Sequence, residues 1–211
     1  MAENTDLWQI ERDLTEQGIG IICGCDEAGA GPLAGPVYAA AVILPPYCQI
    51  EGLNDSKKLT EKKREALYEV ITQKAVCWAV ARMEAAEIDA TDILSARMKA
   101  MQQAMDALTI QPEIALIDGN RDKGRSAAIT TPHKLVVGGD GKSASIAAAS
   151  ILAKVSRDRF VAGELDERYP QYQFAKHKGY GTKLHYEMLD KFGPCPEYRR
   201  SFLKKWEEKR I

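Results

Sequence analysis

Two adjacent acids closing an apolar run constrain this chain more than any other feature. Ile19-Gly20-Ile21-Ile22-Cys23-Gly24-Cys25 reads as a buried strand, and Asp26 and Glu27 follow it directly. Ala28, Gly29, Ala30, Gly31 and Pro32 then make a glycine-rich bend, and a second apolar run occupies residues 37–44. Charged side chains are rarely fully buried unless paired or holding a metal, so this strand end reads as the lip of a site. Alternation adds a demand. Neighbouring residues of a regular strand face opposite sides, so the strand must end or bend at Glu27 if both acids are to reach one ion. Gly29 supplies the freedom for that.

The rest of the chain predicts further strands and helices around this lip. Thr5 caps a short helix carrying Leu7, Ile10 and Leu14, stopped by Gly18. The second strand is ended by Pro45-Pro46, and residues 52–58 form a polar loop. Thr60 caps a helix with Ala66, Leu67, Val70 and Ile71 inward, and residues 76–83 read as a third strand. Leu94, Met98, Met101, Met105 and Leu108 form one stripe of a helix begun near Thr91, which reads as core packing rather than a partner groove. Residues 114–117 deliver Asp118 ahead of Gly119-Asn120, repeating the first pattern of apolar run, acid and glycine. Residues 121–140 read as loop, with extended pieces at 127–130 and 135–137. A long helix follows over about 142–168, then a glycine- and aromatic-rich loop over 174–182. Thr182 caps a helix to Phe192, and the tail from Tyr198 is helical and basic. The fold class is α/β: a mixed sheet with helices packed on it, with one main domain over 1–178 and a small helical lobe over 179–211.

Composition narrows the setting. A chain of 211 residues, 45% hydrophobic and 28% charged, is globular, and its net charge of −1 leaves any steering of polyanions to local patches. No apolar run reaches the length of a membrane span, and Met1-Ala2-Glu3-Asn4 lacks the signature of an export signal. Five cysteines form no disulfide framework, which favours a reducing cytoplasm. Cys23 and Cys25 share a strand face; buried small hydrophobes are the stronger reading there, a metal or redox pair the weaker.

Ser150, Lys154 and Asp158 recur every four residues on the long helix, a polar ridge in which a hydroxyl and an ammonium suited to phosphate lie close to an acid. Asp26, Glu27, Asp118 and Asp158 thus offer four carboxylates from three separate elements. Oxygen ligands without a histidine pair suit Mg²⁺ or Mn²⁺. Two such ions about 3.5–4 Å apart would activate water and stabilise the leaving oxygen in phosphodiester cleavage. A dinucleotide fingerprint at Gly29-Ala30-Gly31-Pro32-Leu33-Ala34 fails, because it leads into a strand and follows two acids. Basic residues cluster at Lys57, Lys58, Lys62, Lys63 and Arg64, at Lys176, Lys178 and Lys183 among tyrosines, and at Arg199, Arg200, Lys204 and Lys205. Lys57, Lys58 and Lys178, in loops, suit phosphate contacts; Lys62, Lys63 and the last group read as solvated helix faces.

Five stretches together resemble bacterial type 2 ribonuclease H, ribonuclease HII. They are Asp26-Glu27-Ala28-Gly29-Ala30-Gly31-Pro32, Asn54-Asp55-Ser56-Lys57-Lys58-Leu59, Leu116-Ile117-Asp118-Gly119-Asn120, residues 148–158, and His177-Lys178-Gly179-Tyr180-Gly181-Thr182. The resemblance implies a ribonuclease H-like mixed sheet flanked by helices, with a small helical C-terminal lobe. It also implies Mg²⁺- or Mn²⁺-dependent cleavage of RNA–DNA hybrids and of duplex DNA carrying a ribonucleotide, by a monomer that removes misincorporated ribonucleotides and primers. Asp26, Glu27, Asp118 and Asp158 are implied as catalytic metal ligands. The backbone of Gly29, Ala30 and Gly31 would meet the ribose 2′-hydroxyl, the group that distinguishes RNA. Tyr180 would pack on the neighbouring deoxyribose, and Lys57, Lys58, Ser150, Lys154 and Thr182 would hold phosphates. The family usually has arginine where Ala30 stands, and often histidine where Tyr198 stands. Ala30 leaves open a hybrid-binding relative with impaired cleavage, and a different two-metal nuclease such as a junction resolvase is a third reading.

Overall fold

The structure is a computed structural model describing residues 6–54 and 56–208, without the side chain of Lys58. Thr5, expected as the first cap, and the end of the basic tail lie outside the described residues. Helix α1 (Gln9–Glu16) precedes β1 (Ile22–Ala28), and the glycine bend leads into β2 (Val37–Ile43). Helix α2 (Glu61–Lys74), capped as expected by the Thr60 hydroxyl, is followed by β3 (Cys77–Met83). Next come α3 (Ala85–Ala90) and α4 (Ile93–Asp106), then β4 (Ile114–Asp118), β5 (His133–Val136) and the long α5 (Ala144–Phe160). A π turn over Val161–Leu165 joins α5 to α6 (Asp166–Arg168). Helices α7 (Phe174–His177), α8 (Lys183–Phe192) and α9 (Lys204–Glu208) complete the described chain.

The strands form one mixed sheet in the order β3-β2-β1-β4-β5. β2 is antiparallel to β1 and β3, whereas β4 is parallel to β1 and to β5. Val-Tyr-Ala-Ala-Ala-Val-Ile makes β2 buried along its whole length, because helices cover both faces. On one face Met98, Met101 and Met105 of α4 pack against Cys23, Cys25, Ala39, Ala41 and Ile117, so the methionine stripe is core. Burial pushes the Cys23 thiol up to about 12, which suits an inert hydrophobe better than a redox group. On the other face Ala148, Ala149 and Leu152 of α5 meet Ala28, Ala40 and Val42. The contact is close enough that a Cβ on Gly24 would lie 2.0 Å from the Ser145 carbonyl carbon. That approach fixes α5 against β1 and positions the site.

The structure revises five expectations. The loop expected over 174–182 opens as helix α7. β1 runs on through Glu27 to Ala28 in unbroken register, Asp26 opposite Ala40 and Glu27 opposite Ala39. Helix α3 was not anticipated. The helix expected over 142–168 starts after a 3-10 turn at Gly139–Gly141 and passes through the π turn. Arg199, read as solvated, is fully buried. Beyond α5, Tyr172, Phe174, Leu189, Tyr198 and Leu203 share one apolar cluster with Leu33, Tyr38, Phe160 and Val161, so the C-terminal helices pack on the bend and on the end of α5.

Candidate active site

Parallel pairing brings the first two acids together. Cys25 sits opposite Ile117, so Asp26 and Asp118 occupy the next step on adjacent strands, at their C-terminal ends. The third member comes from the turn after β5. Carboxylate oxygens of Asp26, Asp118 and Asp140 all lie within 4.8 Å of one another. The Gly139 N–H donates to Asp118 Oδ1 at 2.6 Å, which ties the Asp140 turn to β4. Lys57 Nζ lies 3.2 Å from Asp140 Oδ2 while its side chain remains 77% exposed, so it closes the outer side of the cluster. Burial, and then the charges of Glu27 and Asp118, hold the Asp26 carboxyl well above the usual carboxylate range. A group of like charges placed this way fits a hard divalent cation, and a set of oxygens alone fits Mg²⁺ or Mn²⁺.

Asp140 was not anticipated, although a signal exists: an extended piece followed by Gly138-Gly139-Asp140-Gly141, the same grammar as at Asp26 and Asp118. Asp158 does not join the cluster. It lies near the C-terminal end of α5, next to Arg157, outside the group formed by Asp26, Asp118 and Asp140. Its carboxylate pairs with Lys154 at 2.8 Å and faces Arg64 at 4.0 Å. Glu27 is likewise turned aside. Because β1 stays regular, the Glu27 side chain leaves from the opposite face to Asp26 and meets Arg97 of α4 at 2.5 Å. Its second oxygen is buried without a hydrogen-bond partner. Burial raises the Glu27 carboxyl, with Arg97 opposing.

The bend beside the acids is held from beneath. Gly29 has φ of +91°, and a Cβ there would lie 2.0 Å from Arg157 Nε, so the position excludes side chains twice over. Ala30 is half-buried, and Gly31 is exposed. Tyr180 is 40% exposed, with Lys154 Nζ 5.5 Å and the Arg157 guanidinium 5.7 Å from its ring centre. Thr182 caps α8 by accepting the His185 N–H. Ser150 is buried and donates its hydroxyl to the Ala147 carbonyl. His177 is a packed residue: Nδ1 accepts the Gly179 N–H, leaving Nε2–H to donate to the Tyr172 carbonyl.

Comparison with known proteins gives the family. A family profile described as ribonuclease HII matches residues 23–209. A ribonuclease HII of Idiomarina loihiensis is 57% identical over 182 residues, covering 86% of this chain and 95% of the relative. That of Caldicellulosiruptor bescii is 48% identical over 204 residues, 97% of each chain. Among solved structures, ribonuclease H2 of Pyrococcus horikoshii OT3 superposes with a TM-score of 0.72 at 25% identity, covering 90% of this chain and 98% of that one. The ribonuclease HII in a complex with PCNA from Archaeoglobus fulgidus gives 0.69 at 26% identity, with 85% and 94% covered. With a profile spanning nearly the whole chain and acids gathered at the strand ends, the chain belongs to the ribonuclease HII family, metal-dependent hydrolases that cleave RNA in RNA–DNA hybrids.

Proposed function

We propose that this protein cuts the RNA strand of hybrids internally and nicks duplex DNA on the 5′ side of a single embedded ribonucleotide, leaving 3′-hydroxyl and 5′-phosphate ends. The observation that carries this reading is the convergence of Asp26, Asp118 and Asp140 beside a glycine bend. These three would hold Mg²⁺ or Mn²⁺; Glu27, on the opposite strand face and paired with Arg97, would join them only with a bend in β1 as well as release from Arg97. When bound, two such ions supply an activated water and neutralise charge on the leaving oxygen. The protein's own share is positional. The bend offers backbone polar groups to the 2′-hydroxyl, Tyr180 offers a ring to the adjoining sugar, and Lys57, Lys58 and Lys154 offer charge to phosphates. Ser150 and Thr182 stand in these roles too, although their hydroxyls already serve the helices. Asp158 is a positioning residue, orienting Lys154 and Arg64. We take the protein to work as a cytoplasmic monomer in ribonucleotide removal, with 179–211 as a lobe that carries the far wall of the substrate groove.

The test is nicking of a duplex DNA that carries one ribonucleotide, in Mg²⁺ or Mn²⁺ and again in EDTA. We expect one cut, on the 5′ side of the ribonucleotide, and none in EDTA. Cleavage that survives EDTA overturns the reading.

A further inference from the structure

Arg157 and Arg199 are both fully buried, and among the described residues neither has a carboxylate within ion-pair distance. Buried guanidinium ions usually need such a partner. Here their donors go to main-chain carbonyls. Arg199 donates to Gly29, Ala30 and Gly35 at 2.7, 3.0 and 3.0 Å. Arg157 donates to Pro36 at 3.0 Å, Ala34 at 3.3 Å and, across to the next loop, Lys178 at 3.0 Å. The same two segments are stitched by Leu33 N–H to the Gly179 carbonyl. Burial, with Arg157 beside it, pushes Arg199 down to about 9, still cationic at neutral pH.

We infer that Arg157 and Arg199 are specificity-determining positioning residues: they lock the 29–36 bend and the Tyr180 loop into one rigid reader of the ribonucleotide junction. The inference rests on the function proposed above. Arg157 is the link, since it binds bend carbonyls and the Lys178 carbonyl and also lies by the Tyr180 ring. A planar fork with fixed donor directions can dictate where several carbonyls sit, which a lysine ammonium cannot. The pair also places two positive charges beneath a bend whose own side chain, Ala30, carries none. Engaging the carbonyls of Gly29 and Ala30 from below further decides which backbone groups remain to meet a ribose.

The readout is a ratio of substrates. A single ribonucleotide in DNA offers one placement at which the bend and Tyr180 must engage neighbouring sugars together. A continuous hybrid offers a ribose at every register, so a loosened reader loses less on it. The unaltered protein, Arg157→Lys and Arg199→Lys should be compared for kcat/KM on both substrates and on all-DNA duplex, with thermal midpoints alongside. Each lysine variant keeps the charge and loses the fork. We expect at least one variant to stay folded and to lose tenfold or more on the single-ribonucleotide duplex beyond its loss on the hybrid. Equal losses on the two substrates, no loss in the folded variants, or failure of both variants to fold would overturn the inference. If the unaltered protein cuts neither ribonucleotide substrate, or cuts all-DNA duplex equally well, the underlying functional reading fails instead.

Discussion

At the scale of single residues, the site turns on which acids gather closely enough to share a cation. Asp158 has an ammonium at 2.8 Å and a guanidinium at 4.0 Å, so its charge is already answered. Asp140 is packed against Asp26 and Asp118, with Lys57 Nζ at 3.2 Å on its outer side. We expect Asp140→Asn to lower cleavage of a ribonucleotide-containing duplex by about a thousandfold, equivalent to about 4 kcal/mol of transition-state stabilisation. Asp158→Asn should lower activity by less than about tenfold, yet reduce unfolding free energy by roughly 1–2 kcal/mol, because it breaks a part-buried pair. Steady-state rates with urea melts of both variants check this, and a reversed order would restore Asp158 to the metal site. Arg97 gives a complementary case. Arg97→Met leaves the buried Glu27 carboxylate without its cation, so stability without divalent ions should fall by about 3 kcal/mol. Added Mn²⁺ should restore part of that if Glu27 then becomes a ligand, which thermal melts with and without the ion would read.

At the scale of elements, the Asp140 turn is braced by a helix from the far end of the chain. Glu11 of α1 is buried, and its Oε1 accepts the Ser143 hydroxyl at 2.6 Å and the Ser145 N–H at 3.1 Å. The Ala144 N–H donates to the Leu7 carbonyl at 2.8 Å. A carboxylate thus occupies the N-terminus of α5, where the first amides lack partners and the dipole favours negative charge. Glu11→Ala should cost about 2 kcal/mol, the worth of a charge-assisted hydrogen bond. Because Asp140 lies in the turn just before Ser143, Mn²⁺ binding by calorimetry should also weaken several-fold, and Glu11→Gln, which keeps an acceptor oxygen, should recover most of it. Unchanged Mn²⁺ affinity in Glu11→Ala would confine Glu11 to a structural role. This latch shows where sequence reading stops. The strands, the Thr60 and Thr182 caps, the methionine stripe and two of the clustered acids follow from local periodicity and turn chemistry. The Glu11 latch spans 132 positions and the Arg199 contacts to the bend span 164 to 170, distances over which no local pattern operates. Asp140 was obscured for a different reason: the ridge of Ser150, Lys154 and Asp158 is a true helical pattern, but it serves an ion pair.

At the scale of the whole molecule, the sheet supplies the acids while the C-terminal helices pack on the bend beside them, so conditions that loosen this packing should lower stability and disturb the bend. Two stacked histidines lie in that packing. His177 and His185 are buried with ring centres 4.0 Å apart; His185 Nδ1–H donates to the Tyr180 carbonyl and Nε2 accepts the Tyr198 hydroxyl. Tyr198 therefore fits as a hydroxyl donor to a neutral ring. Burial, and then the neighbouring His177, hold His185 down at about 4, and burial lowers His177 too. The sign follows from proton counting. Below the unfolded value of about 6.5 the unfolded chain binds a proton that the native His185 refuses until about pH 4, so stability falls as pH drops through that window. Between pH 7.5 and 5, His185 alone should remove roughly 2 kcal/mol from the unfolding free energy, with His177 adding in the same direction. His185→Gln, which keeps an amide N–H for the Tyr180 carbonyl and an oxygen for the Tyr198 hydroxyl, should be less stable at pH 7.5 yet lose less on acidification. Urea melts of both proteins at the two pH values measure the difference, and an equal drop in the variant would assign the acid sensitivity to other groups.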